Sequence, residues 1–332
     1  MDIIQVITRE LNVEKWQVEA AVKLIDEGCT IPFISRYRKE ATGTLNDEQL
    51  RNLNERLTYL RNLEDKKAQV LGSIEEQGKL TPELKKQIEA AQTLVVVEDL
   101  YRPYRPKRRT RAIIAREKRS GTSGRHHPSP DDEETLLKKR QKHFFLRKNE
   151  VKTVEEAISG ARDIIAEHIS DEADYRISIR KRTMDKGTIC STARDEKEQS
   201  VYEMYYDFEE PVKKLAGHRV LALNRGEKEK FLTVKILAPE EEIIRYLEKQ
   251  VIVRDNPYTT PVLKEAIEDS YKRLIGPAIE REIRSALTEA AEDGAIHVFG
   301  KNLEQLLMQP PIAGQVVLGW DPAFVPDASW QW

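Results

Sequence analysis

Six of the ten residues from Arg102 to Arg111 are basic and none is acidic, within the run Tyr101-Arg102-Pro103-Tyr104-Arg105-Pro106-Lys107-Arg108-Arg109-Thr110-Arg111. Guanidinium groups offer a planar donor fork that fits phosphate, and they stay charged. Pro103 and Pro106 stiffen the backbone, while Tyr101 and Tyr104 offer faces on which unpaired bases could stack. The chemistry is that of contact with a nucleic-acid backbone. If all six cations met phosphates, the log–log salt slope would approach about −5. The alternatives are ion pairs with acids on neighbouring helices, or a protein partner. A second basic cluster, Arg36-Tyr37-Arg38-Lys39, follows Ile31-Pro32-Phe33-Ile34, whose apolar residues are expected to anchor a turn in the core. Arg36 and Arg38 are secondary nucleic-acid candidates, weighed against a role as structural arginines buttressing a helix bundle.

Catalytic chemistry finds less support. His126-His127 with Asp131 and Asp132 are metal-ligand types, but no surrounding pattern would fix their geometry. Asp321, in Leu318-Gly319-Trp320-Asp321-Pro322, stands like a carboxylate at a strand end, yet one carboxylate cannot build a two-metal site. There is no Walker loop, no G-x-S-x-G and no Cys/His dyad at a recognisable spacing. Cys29 and Cys190 are too few for a disulfide framework or a four-thiolate zinc site. The expectation is a non-catalytic chain with no metal and no cofactor.

Positioning these residues falls to a mostly helical chain. Its 332 residues suggest about two or three folding units. With 55 Lys+Arg against 57 Asp+Glu, the net charge of −2 hides the basic stretch in an average. The sequence lacks a run of ~18 apolar residues and a signal-peptide start, so a soluble, cytoplasmic protein with no membrane partner is expected. Trp16, Ala20, Leu24 and Ile25 mark a short helix that Gly28 stops. Leu50, Leu53, Leu57, Leu60 and Leu63 predict a long amphipathic helix over 45–74. Thr81-Pro82-Glu83 and Thr153-Val154-Glu155-Glu156 are helix starts. Ile279, Ile283, Leu287 and Ala290 predict another long helix with a weak point at Gly294 and an end at Pro310-Pro311. Gln315 to Gly319 is the clearest candidate strand. From Ser120 to His143 only Leu136 and Leu137 are apolar, which reads as a linker or a disordered insertion.

Several strings resemble the bacterial Tex family of transcription accessory proteins, which is related to a eukaryotic transcription-elongation factor. They are Gly28-Cys29-Thr30-Ile31-Pro32-Phe33-Ile34-Ser35-Arg36-Tyr37-Arg38-Lys39-Glu40, then Glu98-Asp99-Leu100-Tyr101 leading into Lys107-Arg108-Arg109-Thr110-Arg111 and Ala161-Arg162-Asp163-Ile164-Ile165-Ala166. His218 to Glu227 and Val317 to Phe324 complete the set. The resemblance covers residues 1–118 and 148–324. It implies an elongated, mostly α, multi-helix scaffold with a helix-turn-helix-like N-terminal region and an α/β RNase-H-like (YqgF-type) domain. It also implies helix-hairpin-helix elements, an OB-fold that binds RNA, and action in transcription with no assigned reaction.

Against that pattern this chain is expected to be a truncated front part, ending in the first strand of the RNase-H-like domain. The polar segment at 119–147 and the tail after Phe324 share one explanation, since shifted reading frames permit family-like strings at both places. The expected division is therefore 1–118 N-terminal helical region, 119–147 aberrant polar segment, 148–312 helical body, and 313–332 orphan strand with an aberrant tail. The expected partners are RNA or DNA, with RNA polymerase or another transcription factor as the second class.

Overall fold

The computed structural model describes residues 2–107, 109–119, 153–195, 198–310, 313–314, 316, 318–321 and 329–331. Most of these are helical. Two compact units emerge, the first Met1–Gly187 with Ala238–Glu280, the second Thr188–Leu237 with Arg281–Trp332.

The first unit opens with α1 (Ile3–Leu11), α2 (Lys15–Asp26) and α3 (Ile31–Tyr37), which pack around the long α4 (Asp47–Glu76). The predicted leucine stripe is the inner face of α4, with Leu50, Leu53, Leu57, Leu60, Leu63, Val70 and Ile74 all buried. Asn46 starts the helix through a capping box with Gln49, satisfying two backbone donors at the end of the helix. Ile7 of α1, Val18 and Ala21 of α2 and Ile34 of α3 close the same core. Gly28 follows α2 in a left-handed conformation, φ +84°, where a side chain would be strained. The segment Ile31–Ile34, expected as a turn, instead begins α3, with Pro32 in its first turn where the missing N–H costs nothing.

Next come α5 (Pro82–Ala90), capped by Thr81 as predicted, and α6 (Leu94–Tyr101). The unit continues with α7 (Arg111–Arg119), α8 (Val154–Asp171) and α9 (Ala173–Lys186). Thr153 caps α8 by accepting the Glu156 N–H at 3.2 Å. After the second unit's insertion it resumes with α11 (Glu240–Val251) and α12 (Thr260–Asp269). A π-helical turn, Ser270–Ile275, runs directly out of α12, and buried Ser270 Oγ donates to the Ala166 carbonyl of α8 at 2.7 Å.

The second unit carries a small sheet that the sequence pattern did not announce. Its order is β2-β1-β3, with β1 (Thr188–Ala193) antiparallel to both β2 (Asp207–Pro211) and β3 (Leu232–Leu237). Helix α10 (Gly217–Lys228) packs on β3. That approach needs Gly226, where a Cβ would fall 2.6 Å from a Leu232 methyl. Helix α13 (Gly276–Leu307) runs unbroken through Gly294, the expected weak point. Of the strand expected over 315–319, only Gly319 is a strand residue, at the start of β4 (Gly319–Asp321), which pairs antiparallel with β5 (Ser329–Gln331). Val316 and Leu318 are not in a strand, and 315 and 317 lie outside the described residues. Of the polar segment, residues 120–147 lie outside the described residues, as do His126, His127, Asp131 and Asp132.

Within the second unit Arg284 joins α13 to α10, donating to Glu227 at 3.1 Å and to Asn224 at 3.3 Å. The Arg284 bond holds the Glu227 carboxyl below its ordinary value of 4.5. A carboxyl whose folded value lies below its unfolded one adds stability that is present above about pH 4.5 and lost as pH falls through the folded value. Acid unfolding of this unit is expected to ease below that pH, and Glu227→Gln to flatten part of the dependence. Superimposable pH–stability curves for the two chains would show that the pair contributes nothing.

Candidate nucleic-acid interface

The first basic stretch leaves α6 in a tight turn, with the Tyr104 and Arg105 N–H groups both donating to the Tyr101 carbonyl, at 2.9 and 3.0 Å. It is pinned to α4 at two points. The Tyr101 hydroxyl bonds Ser73 Oγ at 2.9 Å, and Gln77 donates to the Tyr104 carbonyl at 2.9 Å. Tyr101 and Tyr104 both pack, partly buried, against the N-terminal core, so part of the surface expected for base stacking is used in the fold.

The cations of this stretch divide into two kinds. Lys107 Nζ donates to Asp171 and lies 3.1 Å from Glu167, both on α8. Arg102 Nε stands 3.5 Å from Asp171. Glu167 is 7% exposed, so Lys107 compensates a buried charge. Arg105, Arg109 and Arg111 are exposed. Arg111 is among the charges that hold the Asp269 carboxyl below its ordinary range, after the larger effect of its hydrogen bond from Arg273. Arg105 has no carboxylate partner among the described residues. Arg108 lies outside the described residues.

From this division, Lys107→Gln is expected to cost about 1–3 kcal/mol of stability while leaving nucleic-acid affinity nearly unchanged. Arg105→Gln should do the reverse. Denaturant melts and binding titrations on the two variants check both halves.

The second cluster is held differently. Ile34 and Ser35 form the inner face of α3, and Ser35 Oγ donates to the Pro32 carbonyl at 3.1 Å. The residues that follow them face outward, so Arg36, Tyr37, Arg38 and Lys39 are all exposed. None of the three cations has a carboxylate partner among the described residues, and Glu40 is the only acid from Ile31 to Thr44. The loop behind them is fixed by buried Thr42, whose hydroxyl bonds the Arg38 and Lys39 carbonyls at 3.3 Å each. Thr44 N–H donates to the Lys39 carbonyl at 2.8 Å, and Gln17 of α2 donates to the Gly43 carbonyl at 2.9 Å.

The two clusters thus exchange rank relative to their composition. The denser one carries internal ion pairs, and the sparser one presents open cations on a braced loop. Lys39 reads in sequence as part of the cluster but not as a contact, and Phe33, expected to anchor the turn in the core, is instead exposed and shares a helix face with Tyr37 four residues on. The acids that engage Arg102 and Lys107 were not readable either, because they lie about sixty residues along the chain on α8.

Comparison with known proteins bears on what such a scaffold serves. Residues 1–75 match the model of the Tex-like protein N-terminal domain, and residues 134–299 match the Tex central region-like model. The uncharacterized protein YdcI of Bacillus subtilis is 48% identical over 324 residues, which cover 96% of this chain and 45% of that relative. The transcriptional accessory protein Tex of Neisseria gonorrhoeae is 36% identical over 339 residues, covering 98% of this chain and 43% of that relative. The human S1 RNA-binding domain-containing protein 1 is 29% identical over 341 residues, covering 97% and 34% respectively. The chain therefore spans less than half the length of these relatives. With half its residues matched by the central-region model alone and the N-terminal model matching beside it, the chain belongs to the Tex family.

Proposed function

We propose that this chain is a nucleic-acid-associated scaffold of the transcription machinery, without a catalytic reaction of its own. The observation that carries the reading is the set of open cations, Arg36, Arg38, Lys39 and Arg105, exposed and without carboxylate partners among the described residues. Hydrated guanidinium and ammonium groups on a braced backbone are ready to displace counterions from phosphates with little further ordering. The names of relatives point the same way, one being a transcriptional accessory protein and another carrying an S1 RNA-binding domain. RNA or DNA is the partner this chemistry fits. No helix among the described residues is long and apolar enough to cross a membrane, which accords with a cytoplasmic site of action.

A second reading is favoured by the pairing of Arg102 and Lys107 with α8. The helical body would then dock on RNA polymerase or another factor, with the basic stretch serving the fold. Gel shifts with single-stranded and duplex RNA and DNA probes over a salt series separate the two. Binding that weakens steeply with salt is expected. No shift at low salt, together with capture of polymerase that survives nuclease treatment, would replace the first reading by the second.

A further inference from the structure

The surface around α3 offers more than charge. Phe33 is 39% exposed and Tyr37 is 68% exposed, on a helix that buries only Ile34 and Ser35. They sit one turn apart, with ring centroids 5.4 Å from each other and planes tilted by 42°. The Arg38 guanidinium lies 5.7 Å from the Phe33 centroid. Trp16, 52% exposed, lies against the adjoining loop, where its ring comes within 2.4 Å of the place a Cβ would occupy on Gly43. Gly43 is also left-handed, φ +62°, so that position excludes side chains twice over and lets the indole brace the loop.

We propose that Phe33 and Tyr37, with Arg36, Arg38 and Lys39 beside them, form a site that takes single-stranded nucleic acid by stacking its bases on the two rings. The proposal rests on the nucleic-acid reading above and adds the class of strand and the mode of contact. Two features of the surface must be satisfied together. The rings leave apolar faces in water, and the cations stand without counter-charges among the described residues. An apolar partner would cover the rings but strand the cations. An acidic partner would meet the cations but leave the rings wet. A single strand carries a π face and a phosphate in every nucleotide, so it answers both at once. A duplex offers its phosphates alone, because its base faces are already stacked on one another. Arg38, whose guanidinium lies over the Phe33 ring, adds a cation at the stacking position, where it can bond phosphate while keeping its aromatic contact. Ile34, Ser35 and Thr42 hold this array from beneath, so binding need order little backbone.

The test is fluorescence anisotropy of the whole chain with three labelled probes of equal length, namely oligo-dT, an abasic tetrahydrofuran backbone and a duplex. Oligo-dT is expected to bind about tenfold or more tighter than the abasic strand. Phe33→Leu with Tyr37→Leu keeps apolar bulk and removes the π faces, and it is expected to erase that preference while leaving abasic affinity unchanged. Tyr37→Leu alone, at the more exposed ring, provides the same reading should the double variant lose its helical circular dichroism. A preference that survives in a folded variant would overturn the stacking site while leaving the nucleic-acid reading intact. Equal affinity of the unaltered chain for oligo-dT and the abasic strand would also overturn it, leaving a charge-only surface open to an acidic protein. If none of the three probes binds at low salt, the nucleic-acid reading fails and the site with it.

Discussion

Asp99→Ala is expected to lower the stability of the first unit by about 3–5 kcal/mol. Asp99 sits in α6 at 3% exposure and accepts from Arg176 Nε of α9 at 2.6 Å and from Arg180 Nη2 at 2.8 Å. Arg176 is itself 1% exposed. Removing the carboxylate takes from a buried guanidinium the counter-charge that Asp99 supplies, and breaking a buried charge pair from one side is among the costliest single changes. The effect should not stop at the pair. Helix α6 feeds directly into the turn that carries Arg102 and Lys107, so loosening it also loosens their contacts with α8. Asp99→Asn, which keeps an acceptor but not the charge, should fall between the two. Replacing Asp99, Arg176 and Arg180 together by apolar residues of similar volume should recover much of the loss. Urea titration followed by far-ultraviolet circular dichroism reads all three. An unchanged midpoint for Asp99→Ala would mean that water reaches Arg176 and that the pair is not a buried one.

The second large effect concerns binding. Changing Arg36, Arg38, Lys39 and Arg105 together to Gln is expected to weaken single-strand binding by about 100-fold near physiological salt and to flatten the log–log slope by roughly 3. Each open cation that meets a phosphate releases about 0.7 of a counterion from a single strand, and four such contacts add in the slope. Stability should hardly change, because these side chains are exposed and make no ion pair among the described residues. A matched variant, Arg102→Gln with Lys107→Gln, should show the opposite profile, with a large fall in stability and a small change in slope. Equal slopes for the four-residue variant and the unaltered chain would show that phosphate is held elsewhere.

Periodicity reached the helices whose cores are their own. The leucine stripe of α4 and the hydroxyl caps of α5 and α8 are local signals, complete within a few residues, and the structure places them where they were expected. The sheet of the second unit was not legible, because Thr188–Ala193 mixes small and polar residues and becomes a strand only through partners at 207–211 and 232–237. Gly294 was expected as a weak point within a helix ending at Pro310-Pro311, and α13 does run through it to Leu307. Among the candidate site residues, composition located the basic stretch but could not show which cations were already engaged. That depended on Asp171 and Glu167, far along the chain and adjacent only after folding. Asp99 was visible within a family string, but its partner lies 77 residues away and nothing nearby marks it as buried.

The claim that most needs a direct answer is that the segment around α3, rather than the paired part of the basic stretch, touches the strand. Ultraviolet crosslinking of the chain to a single-stranded RNA carrying 4-thiouridine, followed by mass spectrometry of the attached peptides, addresses it without any mutation. Attachment within residues 31–44, at Phe33 or Tyr37 above all, is the expected result. Attachment confined to residues 101–107, or to parts of the chain distant from both clusters, would contradict it.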